Sequence, residues 1–186
     1  TGFLALRGNR AAPTREAAVA LEAAGQFAAA GDAYAQVLAG TPDGLAATLW
    51  DLQTKAADAK RFADCPQLLR RLERLYAAQT PPQVKNIRRW DVVNSLAWYL
   101  ATDPATGRTG AEEAVRLADE AIALATDDEM MTSLDTAAAA AARAGDFGSA
   151  IERIDRAIKA AQDAPTRQDF SQRREAYLAR RAWNEP

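Results

Sequence analysis

The segment Ala144-Gly145-Asp146-Phe147, followed by Ala150, Ile151, Ile154, Ala157 and Ile158, decides the fold. Glycine tolerates the left-handed backbone that ends a helix, Asp can cap the helix that follows, and an aromatic ring covers the joint. The apolar residues after it recur at intervals of three and four, the spacing of a single helical face. The segment therefore predicts a helix, a tight turn and a second helix.

Working outward, the same device recurs. Ala24-Gly25-Gln26-Phe27 opens a turn followed by a helix over 28–38, and Lys60-Arg61-Phe62 opens a turn followed by a helix over 66–78. Phe27 and Phe62 stand 35 residues apart. Periodic segments arrive in pairs broken by Gly, Pro and Asp, the pattern of stacked helical hairpins and not of a single bundle. Alanine dominates the 48% of hydrophobic residues, aromatics make 7%, and β-branched residues are sparse, so little or no strand is expected. Gln79-Thr80-Pro81-Pro82 stops helix continuation and is read as a midpoint break between the first two units and the last two.

At these positions the chain resembles the tetratricopeptide repeat family, whose unit runs to about 34 residues. The first unit supplies Leu21, Gly25, Phe27, Ala30, Tyr34, Val37 and Pro42. The fourth supplies Ala138, Ala141, Gly145, Phe147, Ala150, Ile154 and Ala157, with Gln162 where the closing proline falls. The third has Leu96, Ala97, Leu100, Ala114, Ala118 and Ala121, but its connecting turn, 103–110, reads as too long. The second is the most degenerate, with Leu49, Leu52, Ala56, Cys65, Leu69 and Leu72. Asn94 through Thr102, Leu134 through Ala138 and Arg173 through Leu178 resemble a bacterial subgroup of these repeats that often ends a longer polypeptide.

The resemblance implies an all-α fold, a right-handed superhelical stack of about four hairpins over 15–43, 44–79, 88–126 and 129–164. An N-terminal extension, 1–14, would precede them and a capping helix and tail, 165–186, would close them. Phe170, Ala176, Tyr177 and Leu178 are expected to cover the last hairpin, with Arg167, Arg173, Arg174, Arg180 and Arg181 in water.

In such a stack the first helix of each hairpin lines a concave groove, and residues not consumed by packing form a binding surface. Counting around each helix selects Arg15 and Glu22, then Trp50, Thr54 and Asp58, then Asp91, Asn94 and Trp98, and finally Asp135 and Arg143. Trp50 and Trp98 read either as groove anchors or as plugs between hairpins. Asn94 beside Trp98, with Asp135 one unit later, is the strongest polar cluster, and an interhelical hydrogen bond is the competing account. The carboxylate-gripping clamp of some relatives is not reproduced, since Val19 and Trp50 stand where it needs polar groups.

Several chemistries are excluded by inventory. Histidine is absent and Cys65 is the sole cysteine, so triads, His-based proton shuttles, His/Cys zinc sites and internal disulfides cannot be built. A net charge of −2 provides no general field for nucleic acid or anionic membrane, and the basic run Lys85 through Trp90 is read as a solvated helix entry. Glu112-Glu113 and Asp127-Asp128-Glu129 read as helix-opening charges, Gly107 and Gly110 lack the lysine of a phosphate loop, and Cys65 reads as packing. The expectation is a non-catalytic scaffold binding a protein or peptide, without cofactor or metal. The alternative is a fixed accessory subunit of a larger assembly, membrane-associated or not, with Phe3, Leu4, Leu6 and Trp183 as its apolar patch. No stretch reaches the roughly 20 apolar residues of a membrane span, while a tether before Thr1, an exported chain and a cytoplasmic one all remain open.

Overall fold

The computed structural model describes residues 13–78 and 80–184, and over these the chain is all-α. The expected extension with Phe3, Leu4 and Leu6 lies outside the described residues. In chain order the helices are α1 (Arg15–Ala23), α2 (Phe27–Val37), α3 (Pro42–Asp58), α4 (Cys65–Tyr76), α5 (Arg89–Thr102), α6 (Arg108–Leu124), α7 (Asp127–Arg143), α8 (Phe147–Ala160) and α9 (Ala164–Leu178). A single 3₁₀ turn, Phe62–Asp64, leads into α4. Each helix packs on the next, α2 also meets α4, and α5 meets α7.

The turns after α1, α3, α7 and α9 share one hydrogen-bond pattern. Gln26, Arg61, Asp146 and Arg181 each donate a backbone N–H to the carbonyl five residues earlier, at Leu21, Ala56, Ala141 and Ala176, over 2.7–2.9 Å. This closure needs a left-handed residue just before the donor. Gly25 (φ 68°) and Gly145 (φ 87°) meet it without strain, whereas Lys60 (φ 56°) and Arg180 (φ 55°) adopt it against their Cβ. The start signals are equally explicit: Asp146 Oδ1 accepts from Ser149 N at 3.0 Å, Asp163 Oδ1 from Thr166 N at 2.8 Å, and Glu129 reaches back to Thr126 N at 2.9 Å.

Packing explains the alanine content. From Ser133 through Ala142 every residue of α7 is buried, because α7 is wrapped by α5 and α6 on one side and by α8 and α9 on the other. Only small side chains let helices approach from both sides. In α2, Gly31 serves the same end: a Cβ there would come within 2.4 Å of the Leu68 side chain of α4.

Two local readings need correction, the long turn and the C-terminus. Helix α4 ends at Tyr76 and α5 begins at Arg89, so a helix break does fall around the prolines 81–82, while the core runs across it from Ala18 through Leu72 and Val92 to Ala140. The connection is pinned, with Tyr76 Oη donating to the Ile87 carbonyl at 2.8 Å and Asp43 accepting from Gln83 N at 2.9 Å. The long turn over 103–110 is short, since Arg108 through Gly110 already belong to α6. At the C-terminus Phe170, Ala176 and Tyr177 are buried as expected, but Leu178 is 53% exposed and the Arg173 side chain is only 14% exposed. Arg173 turns inward, where its guanidinium pairs with Asp135 and lies against the rings of Trp98, Phe170 and Trp183.

Candidate functional site

Helices α3, α5 and α7 together line a pocket of about 290 Å³ walled by Gln53, Asn94, Ser95, Trp98, Tyr99, Thr132, Asp135 and Thr136. Asn94, Trp98 and Asp135 are thus brought together, as their spacing along successive first helices had suggested. Asn94 and Trp98 are four residues apart on α5, one turn of the same face. Asp135 faces them from α7.

The electrostatics are set by Arg173. Its guanidinium pairs with Asp135, and lies 4.9 Å above the Trp98 ring, 5.6 Å from Phe170 and 5.6 Å from Trp183. The last helix therefore supplies a cation to the edge of the pocket and compensates its carboxylate. Gln53 Nε2 donates to Tyr99 Oη at 3.2 Å, tying α3 to α5. The Oδ1 of Asn94 is buried without a hydrogen-bond partner.

The other sequence candidates scatter. Arg143 donates to the Ala101 carbonyl at 2.7 Å, to the Trp183 carbonyl at 3.1 Å and to Asn184 Oδ1 at 2.5 Å, so it serves as a brace between α5 and the tail. Asp91 caps α5 by accepting from Arg88 N at 2.7 Å. Trp50 packs on the core, and the Thr54 hydroxyl bonds back to the Trp50 carbonyl at 3.1 Å. Arg15 and Glu22 border a separate surface depression with Tyr34 and Asp51, and Asp58 lies beside Val19, Phe27 and Lys55. Trp183 joins the second core and is no part of an uncovered patch.

The basic run is likewise consumed. Arg88 pairs with Glu129, whose carboxyl is held down to about 2 by that contact and the Thr126 amide, while Arg89 reaches Glu120 at 2.5 Å and Glu73 at 3.4 Å. Trp90 donates its indole N–H to Ser133 Oγ at 2.9 Å. Burial pushes the Cys65 thiol up, away from thiolate character. Among the described residues no three His, Cys, Asp or Glu side chains gather as a metal site would require.

Sequence reasoning missed Gln53, Ser95, Tyr99, Thr132, Thr136 and Arg173. The period-3.6 pattern marks Gln53 and Thr136 as core-facing positions, and polar residues there are the available signal. Little local announces Arg173, whose partners Asp135 and Trp98 lie on other helices. Comparison with protein-family models, with curated proteins and with solved structures gives no match.

Proposed function

We propose that the chain is a non-catalytic interaction scaffold of the tetratricopeptide kind, taking a protein or peptide segment along a groove walled by α1, α3, α5 and α7. The observation that carries this reading is the pocket itself, built by side chains of α3, α5 and α7, among them the buried polar residues Gln53, Asn94, Asp135 and Thr136. A groove with a few convergent polar groups and two aromatic walls suits recognition of a chain segment. Its right-handed superhelical course is part of the same proposal, supported by pairwise hairpin packing and by the recurring glycine turns.

The test is affinity capture from the native lysate, comparing the wild-type chain with the Asn94→Ala, Trp98→Ala double variant after circular dichroism shows the variant folded. A specific partner lost in the variant supports the groove. The same partner retained in full overturns it.

An accessory-subunit reading has one observation in its favour. Val19 is 50% exposed over a depression at the α1 end in which Ala23, Phe27 and Ala59 form an apolar floor rimmed by Glu22, Lys55 and Asp58, an opening that a permanent neighbour would close. Co-purification in fixed stoichiometry, with precipitation of the chain alone, supports that reading; a soluble monomer overturns it.

A further inference from the structure

Asn94 is 9% exposed, lines the pocket between α3, α5 and α7, and carries a carbonyl oxygen buried without a hydrogen-bond donor. A polar atom left in that state favours a ligand that brings an N–H to it. The surroundings narrow the ligand. Asp135 is already engaged by Arg173, whose guanidinium covers the Trp98 ring at 4.9 Å. A second cation entering beside Trp98 meets that guanidinium, and an anion meets the Asp135 carboxylate and the Asn94 carbonyl oxygen. The ligand group is therefore uncharged.

It must also satisfy more than one partner. Ser95, Thr132 and Thr136 contribute hydroxyls, each able to donate or accept. Gln53 does not compete as a donor along its bond to Tyr99. Trp98 and Tyr99 form flat walls, which a planar group can lie against. A planar, neutral group that donates N–H bonds and accepts others is a primary carboxamide, and a cavity of about 290 Å³ has room for one such side chain.

We propose that this pocket is a subsite for a carboxamide side chain, a glutamine or asparagine of the segment bound in the groove. The assignment rests on the scaffold reading above and names its specificity.

Nitrogen-15 NMR titration of the whole chain tests it, with N-acetyl methylamides of glutamine, glycine, glutamate and lysine as probes. Saturable shifts of the Asn94 side-chain amide and the Trp98 indole are expected with the glutamine compound, and binding about tenfold weaker or more with the other three. Asn94→Leu, which keeps the branch at Cγ but removes the acceptor, loses the preference. Thr132→Phe, at an exposed position on the pocket's edge, closes the site and leaves the core intact, so a folding failure of the first variant does not decide the matter. Equal binding of the glycine compound overturns the proposal, as do a preference for glutamate or lysine, absence of saturable shifts, or shifts unchanged in both variants. Groove-dependent capture of a partner without carboxamide binding sinks this assignment alone; carboxamide binding without any groove-dependent partner sinks the scaffold reading alone.

Discussion

Helices α1 and α7 are each the first member of a hairpin closed by a glycine turn, yet they are packed very differently. α7 is buried from Ser133 through Ala142, whereas α1 buries Ala18 and leaves Val19 half exposed. The difference lies in neighbours and not in helix chemistry, since α7 packs against helices on both sides while α1, among the described residues, packs mainly on α2. In an array of this kind stability accrues from interfaces, so an inner helix is held far more tightly than an outer one.

The sharpest way to break that contrast is to remove charge from each helix layer. Asp135→Ala, which strands the Arg173 guanidinium beneath three rings, is expected to lower unfolding free energy by about 3 kcal/mol in urea titration. Its counterpart on α1, Glu22→Ala, which breaks a partly exposed pair with Lys55, should cost about 1 kcal/mol or less. If the two losses come out equal, the inner-versus-outer distinction fails.

Volume gives the next largest effect. Ala139→Leu forces three methyl-sized groups into a sealed interface and should cost about 2 kcal/mol, whereas Ala20→Leu on the exposed face of α1 should be nearly neutral. The turns sharpen the comparison further. Gly145→Ala is expected to cost about 1 kcal/mol because φ is 87° there, and Lys60→Gly to stabilise by about 0.5 kcal/mol by relieving the same strain, both read as shifts of Tm.

The smallest effect at neutral pH belongs to Tyr177. It is fully buried, its hydroxyl has no hydrogen-bond partner, and burial raises its ionisation well above the ordinary phenol range. Tyr177→Phe should therefore be close to silent at pH 7. Above about pH 10 the unfolded chain releases the phenolic proton while the folded chain keeps it, so stability falls as pH rises. The variant should show a shallower alkaline decline in thermal melts, and an unchanged decline would remove Tyr177 from its cause.

How much of this was legible beforehand follows from the range of each interaction. The turns at Gly25 and Gly145 and the apolar faces that follow them are local chemistry, and they located the helices. The closeness of Asn94, Trp98 and Asp135 could be read because one-turn and one-hairpin spacings are regular. Arg173 could not: its charge and its place on α9 fit a wet face, and its partners Asp135 and Trp98 are supplied by distant helices. The turn over 103–110 was misjudged for a different reason, since Gly107 and Gly110 look like loop residues although Gly110 lies within the first turn of α6.

Helix packing here joins elements that are adjacent or next but one along the chain, so most of the molecule can assemble from local hairpins without closing large loops first. Arg143 and Arg173 add longer ties, Arg143 joining Trp183 after α9 to α7 and Arg173 joining α9 to Trp98 of α5. Their contacts close only after α9 and the tail have arrived. Folding should thus proceed in a fast phase that builds the hairpins and a later locking step, in which Arg173 docks on Asp135 and Trp98, finishing the pocket last.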